Sequence, residues 1–150
     1  MPESASLTHP VHLEILSRPE LLAPVRGLVN GMALREGLDD LAACHLVLAM
    51  DEALTNVIRH GYGGRPDGRI WITAEPLGRG EGVRVTIEDR AVTVDPAQLR
   101  GRDLEDVRPG GLGLHLLRTL VDRFEHAPRE DGGMRVILEK RPAAQTAGCA

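Results

Sequence analysis

Aromatic residues are almost missing from this chain. Tyr62, Trp71 and Phe124 are the only ones among its 150 residues. The core therefore has to be built from Leu, Val, Ile and Ala, and the chain lacks the aromatic platforms on which single-strand nucleic-acid binders depend. A formal net charge of −4 also leaves no overall basic footprint for nucleic acid. We expect no direct contact with nucleic acid.

Cysteines and long apolar runs are scarce too. Cys44 and Cys149 are the only cysteines, and their spacing does not suit a metal site. No apolar run approaches the length of a membrane span, and the N-terminus lacks a basic-then-apolar signal pattern. We therefore expect a cytoplasmic protein without a disulfide or a membrane contact.

The length predicts one folded domain, over residues 11–141, between flexible ends at 1–10 and 142–150. Alternation of apolar residues predicts strands at 11–16, 69–74, 83–88, 124–127 and 134–140. Helical periodicity predicts one helix ending near residue 37, a second over 41–60 and a third after residue 110. This order predicts an α+β two-layer sandwich, with a mixed, mostly antiparallel sheet covered on one face by three helices.

The first helix has two notable features. Ser17 is placed to cap it, with Pro19 and Glu20 in its first turn. Gly27 and Gly31 lie inside it and weaken its helix propensity. Close packing explains such glycines, and so does a face for self-association.

Polar side chains share one face of the second helix, near its end. Its apolar stripe comprises Leu46, Val47, Met50, Ala53, Leu54, Val57 and Ile58. Glu52 and Asn56 lie on the opposite side, one helical turn apart. A carboxylate next to a carboxamide suits a base beside a metal ligand, although many amphipathic helices carry such a face without a function.

Two further features favour a ligand site. Glycines open the third helix, in the run Gly110, Gly111, Leu112, Gly113 and Leu114. Backbone N–H groups at such a helix start can approach a phosphate. Asp89 ends a predicted buried strand, where a carboxylate can accept a hydrogen bond from the exocyclic amine of a base.

The element order and these residues together resemble the GHKL (Bergerat-fold) ATPase superfamily. Within it, the run from Asp51 to Tyr62 (DEALTNVIRHGY) looks most like the anti-sigma-factor serine kinases of the RsbW and SpoIIAB type. The resemblance covers roughly residues 11–140. It implies ATP and Mg²⁺ as cofactors.

The resemblance also implies a role for individual positions. Glu52 matches the general base, Asn56 the Mg²⁺ ligand and Asp89 the acceptor of the adenine amine. Residues 90–109 match the lid over ATP. Nucleotide contacts are implied for Arg108, for the glycine-rich run from Gly110 to Leu114, and for His60, although His60 is also explained as a helix-end histidine.

This sequence departs from the family pattern in two places. The first glycine box of the family reads Asp-x-Gly-x-Gly, whereas this chain has Ala91 and Thr93 at the two glycine positions. Met134 stands where relatives often carry a threonine that helps to bind adenine. Both departures fall around the base pocket, so the base half of the site is in question while the metal and phosphate positions match.

The leading hypothesis is an ATP-dependent serine kinase that sequesters a sigma factor and phosphorylates a STAS-type anti-sigma-factor antagonist, with a homodimer as its expected state. The alternative is a non-catalytic regulatory binding module with weak or no ATP binding. The catalytic domain of a sensor histidine kinase is a third reading. It needs an upstream dimerisation helix, which we do not expect in residues 1–11.

Overall fold

The computed structural model describes residues 9–91 and 111–144, and within 111–114 only the backbone. Its strands are β1 (Val11–Leu16), β2 (Arg69–Pro76), β3 (Val83–Asp89), β4 (Arg123–Pro128) and β5 (Met134–Lys140). Its helices are α1 (Leu22–Arg35), α2 (Asp40–Asn56) and α3 (Gly111–Leu120). The predicted elements are all present, and β1 and β5 have the predicted bounds. The domain limits of 11–141 stay a prediction.

The five strands form one sheet in the order β1-β2-β3-β5-β4. Every neighbouring pair in the described part of the chain is antiparallel, including the predicted β2–β3 hairpin. The predicted α+β sandwich is confirmed, and its sheet is more regular than the mixed arrangement we expected.

Helix α2 is the central layer of the packing. It lies on β3 and β5 and contacts both α1 and α3, while α3 also contacts β4. The inward side chains of the sheet that meet these helices are aliphatic, as the scarcity of aromatics required: Ile70, Ile72, Ala74, Val83, Val85, Ile87, Val136 and Leu138.

The start of α2 is held by Asp39, whose Oδ1 accepts the Ala42 N–H at 2.7 Å. By length and composition, Asp40–Gly61 could cross a membrane, which the sequence did not lead us to expect. Its apolar residues are instead packed in the core, for example Leu46, Met50 and Leu54, each fully buried. A central helix of a globular core has the same composition as a membrane span.

One prediction about the first helix is wrong, and one of the two explanations for its glycines is not supported. Ser17 does not cap it, because its hydroxyl donates to Arg65 O at 2.5 Å and accepts the Gly68 N–H at 2.9 Å. A 3₁₀ turn (Pro19–Leu21) precedes α1 instead. Close packing within residues 9–91 and 111–144 does not explain Gly27 and Gly31, since a Cβ at either position would have no neighbouring atom from these residues within 4 Å.

Candidate functional site

The last turn of α2 carries Glu52 and Asn56, both half-buried. The α-helical hydrogen bonding ends at Asn56, and a π-helical turn (Val57–Gly61) continues the chain. The wide turn closes with a 2.8 Å bond from Tyr62 N–H to Val57 O. Single π turns inside helices are frequent at functional sites, so the predicted pair lies where the helix changes its geometry.

The donor set around Asn56 fits a magnesium ion that is held mainly by a nucleotide. Residues 9–91 and 111–144 contain no group of three or more His, Cys, Asp or Glu side chains that could hold a metal by themselves. Mg²⁺ usually takes one or two protein oxygens and completes its shell with substrate phosphates and water. A single carboxamide oxygen, with a carboxylate one turn away, suits that arrangement.

Asp89 is the last residue of β3 and is buried, with 3% of its surface exposed. Its Oδ1 accepts two backbone N–H groups, from Ala91 at 2.9 Å and from Met134 at 3.2 Å. These bonds fix the orientation of the carboxyl group. They also show that position 134 supports Asp89 through its backbone, whatever side chain it carries.

Burial raises the pKa of Asp89 above the ordinary value of a carboxyl group. The two backbone N–H bonds from Ala91 and Met134 oppose this effect, as do the positive charges of Arg129 and His126, but burial outweighs them. The surroundings of Asp89 therefore disfavour its charged form while backbone N–H groups orient the carboxyl group.

The π-helical turn after α2 and the residues that follow β3 meet at Gly61 and Ala91. Ala91 is buried, and a Cβ at Gly61 would lie 3.0 Å from the Cβ of Ala91. Outside glycine, no residue in the described ranges has a positive φ, so Ala91 has an ordinary backbone. The alanine in place of the family's glycine therefore causes no backbone strain, because Gly61 makes room for its methyl group.

The peptide bond between Asp89 and Arg90 is held by side chains from two other elements. Arg129 donates from Nη1 to Asp89 O at 2.8 Å. The Arg90 N–H donates to the Tyr62 hydroxyl at 3.0 Å. The sequence did not identify Tyr62 or Arg129 as site residues. Because aromatic residues are so rare in this chain, Tyr62 could have been singled out from the sequence. Arg129 could not, since the sequence contains many arginines and nothing distinguishes this one.

The remaining predicted positions divide into three groups. His60 is exposed within the π-helical turn, where no bond that the structure describes ties it to Asn56 or Asp89. Gly111 begins α3, so the backbone of Gly111, Leu112, Gly113 and Leu114 forms a helix start as predicted. Arg108, Gly110, Thr93 and most of the predicted lid lie outside the described residues.

Comparison with known proteins places this geometry among related chains. A family model described as "Histidine kinase-like ATPase domain" matches residues 15–140. The serine-protein kinase RsbW of Listeria monocytogenes serotype 4a is 31% identical over 145 residues, with 91% of this chain and 89% of the relative covered. The anti-sigma F factor of Heyndrickxia coagulans is 28% identical over 137 residues, with 89% and 91% covered.

A solved structure has the same fold. The RsbU and RsbW domains of Rv1364c from Mycobacterium tuberculosis align with a TM-score of 0.63 at 24% identity. The alignment covers 91% of this chain but 34% of the other, so the present chain spans about a third of that protein. At this identity the likeness concerns the fold, and it agrees with the predicted two-layer architecture.

Proposed function

Because this chain belongs to the histidine kinase-like ATPase domain family, in its RsbW and anti-sigma F group, we propose that it is an ATP-dependent serine kinase. The family membership confirms the resemblance on which the sequence prediction rested. The proposed reaction transfers the γ-phosphoryl group of ATP to a serine on a protein partner. The observation on which it most depends is the half-buried pair Glu52 and Asn56, on one turn of α2.

Each member of this pair has a separate role. The Glu52 carboxylate accepts the proton of the serine hydroxyl as the serine oxygen bonds to the γ-phosphorus, and the bridging oxygen leaves with ADP. Asn56 would contribute a side-chain oxygen to Mg²⁺, and the metal would neutralise charge on the phosphates. The N-terminus of α3 at Gly111 would offer backbone N–H groups to phosphate.

The base-binding role belongs to Asp89. Its Oδ1 is oriented by two backbone N–H groups, which leaves the carboxyl group in a defined direction for an amine donor. The adenine ring carries such a donor at its exocyclic amino group. The ordinary backbone at Ala91 supports this role, because the glycine-to-alanine departure does not distort the residues beside Asp89.

The names of the relatives support a protein substrate and a sigma factor as partners. One is called a serine-protein kinase and the other an anti-sigma F factor. We propose a sigma factor as one partner. The STAS-type antagonist as phosphoryl acceptor, and the cytoplasm as the place of the reaction, are proposed from the family resemblance of the sequence.

Calorimetry with ATP, with and without Mg²⁺, tests the metal role. Asn56→Ala should weaken the Mg²⁺-dependent affinity about tenfold or more, because the metal loses its protein ligand. Asn30→Ala, at an exposed position of α1, is the matched control and should leave the affinity unchanged. Binding that is equally strong without Asn56 would remove it as a ligand.

Transfer of labelled γ-phosphate to a STAS-type antagonist protein tests the catalytic role. Glu52→Gln should reduce the rate by about 10²- to 10⁴-fold while ATP still binds, since only proton transfer is lost. Asp40→Asn, in the first turn of the same helix, should leave the rate intact. A Glu52→Gln protein that transfers phosphate normally contradicts the role of base.

A non-catalytic binding module is the second candidate, favoured by the loss of both glycines from the first glycine box at Ala91 and Thr93. In that case the same partner is captured with and without nucleotide, and wild-type calorimetry gives no heat with ATP. Calorimetry with ATP therefore distinguishes the kinase from the binding module.

A further inference from the structure

The peptide unit that follows Asp89 lies beyond the sheet ladder. The β2–β3 pairing ends at Ile70 and Asp89, and the β3–β5 pairing ends at Glu88 and Arg135. The carbonyl of Asp89 and the N–H of Arg90 therefore need other partners. Arg129 donates to the carbonyl of this peptide, and Tyr62 accepts a hydrogen bond from its N–H.

The guanidinium of Arg129 is itself held in place. Its Nε lies 3.2 Å from Glu88 Oε2 and its Nη2 lies 3.2 Å from Asp131 Oδ2. Its Cζ lies 5.8 Å from the centroid of the Trp71 ring, and only 13% of its side chain is exposed. The Nε is close enough to Glu88 for charge attraction but makes no hydrogen bond in the described part of the chain. The hydrogen bond from Nη2 to Asp131 and the charge of Glu88 orient the guanidinium, so that Nη1 donates to Asp89 O.

The hydroxyl of Tyr62 is equally constrained. It donates to Arg69 O at 2.5 Å while it accepts the Arg90 N–H. The ring packs directly on Gly68, where a Cβ would overlap its atoms. Burial, the largest effect, raises the pKa of Tyr62, so the hydroxyl keeps its proton and its donor role.

We propose that Tyr62 and Arg129 are positioning residues that aim the Asp89 carboxyl group at the exocyclic amine of the base. They hold the peptide from which the next N–H, that of Ala91, reaches back to Asp89 Oδ1. Release of either contact lets this peptide rotate and turns the carboxyl group away from its acceptor direction. This role rests on the proposed nucleotide binding. Through it, Tyr62 and Arg129 would set the preference of the site for a base with an exocyclic amino group.

Two nucleotides that differ by the amino group provide the readout. We compare the Kd of ATP with that of purine riboside triphosphate, which lacks the exocyclic amine, for wild type, Tyr62→Phe and Arg129→Gln. The wild type should prefer ATP, and each variant should lose about three- to tenfold of that preference, as expected for one misplaced hydrogen bond. A general loss of structure would weaken both nucleotides alike and leave the preference unchanged.

Arg135→Gln is the matched control. Arg135 pairs with the same Glu88 Oε2, at 3.0 Å, but makes no described contact with the Asp89–Arg90 peptide. It should retain the wild-type preference. If Tyr62→Phe and Arg129→Gln also retain it, or if the wild type has no preference, the proposal is overturned.

Amide hydrogen exchange separates this proposal from the proposed function. In both variants the amides of Ala91 and Met134 should lose about tenfold or more of their protection relative to a core amide such as Ile72, whereas Arg135→Gln should not change them. If the wild type binds no ATP, the proposed kinase function is contradicted. The exchange measurement then decides by itself whether Tyr62 and Arg129 hold Asp89 in place. Unchanged protection at both amides overturns the positioning role in any case.

Discussion

Gly133 lies directly against the main chain of Asp89. A Cβ at position 133 would collide with the Asp89 carbonyl carbon and oxygen, and Gly133 also has a φ of +82°. The turn between β4 and β5 therefore closes over the end of β3 because one residue of that turn has no side chain.

Gly133→Ala should destabilise the fold by about 2–4 kcal/mol, because overlap with Asp89 adds to the cost of a left-handed alanine. Gly132→Ala is the matched control. It has a φ of +96°, but no atom of the described residues would lie within 4 Å of a Cβ at this position. It should cost about 1 kcal/mol, the backbone contribution alone. Urea unfolding of the two variants measures the difference, and equal losses would contradict the close contact.

Asp89→Asn should make the protein at least as stable at pH 7, although it weakens ATP binding. The buried carboxyl group has a raised pKa, so the unfolded chain loses this proton first as the pH increases. The stability of the wild type relative to Asp89→Asn should therefore fall as the pH rises from about 3.8 to the higher folded pKa, and then stay constant. Urea unfolding between pH 3 and pH 7 checks this, with exposed Asp67→Asn as the control. A difference that does not vary with pH would contradict the raised pKa.

The contribution of Glu139 to stability should depend on pH in the opposite sense to that of Asp89, and Glu139→Gln tests this. Burial by itself would raise the pKa of Glu139, but hydrogen bonds from Arg84 and Arg123, at 2.7 and 2.9 Å, outweigh it and lower the pKa. The Glu139 carboxylate contributes fully to the free energy of unfolding above about pH 4.5. This contribution is lost as the pH falls through the lowered pKa that Glu139 has in the folded protein. We expect Glu139→Gln to cost about 1–3 kcal/mol at neutral pH and less in acid. A loss of the same size at pH 3 and pH 7 would disprove the pairing.

Gly31→Ala, and likewise Gly27→Ala, should stabilise the monomer fold by about 0.5–1 kcal/mol, since both glycines are exposed inside α1 with space for a methyl group. Gly37→Ala should do the reverse, because its φ is +93° and its Cβ would lie 3.0 Å from Gly80 O. If α1 forms the predicted homodimer face, the same alanines should also weaken association in sedimentation equilibrium. A wild-type protein that is monomeric in this measurement would contradict the predicted homodimer face.

Errors in the sequence prediction arise where a local pattern has a distant partner. Ser17 has the residue type and the position of an N-cap, yet its hydroxyl bonds to Gly68, 51 residues away. The pattern of a cap depends on the next three residues, and it contains no information about a chain segment that folds against it later. The helix predicted over 41–60 is present, as α2 and the π-helical turn. The apolar periodicity did not predict the change to π-helical bonding after Asn56, because that change depends on how Tyr62 and Gly64 close the turn.

The sequence alone determined the α+β class, the strands, the central helix and the shared face of Glu52 and Asn56, because helical and strand periods are set by near neighbours. Only the tertiary structure decided what surrounds Asp89. Arg129 and Met134 bond to Asp89 itself across 40 and 45 positions, and Tyr62 bonds to the N–H of Arg90 across 28 positions. Such contacts form when the end of α2 and the β4–β5 turn pack against the end of β3, and no local period encodes that meeting.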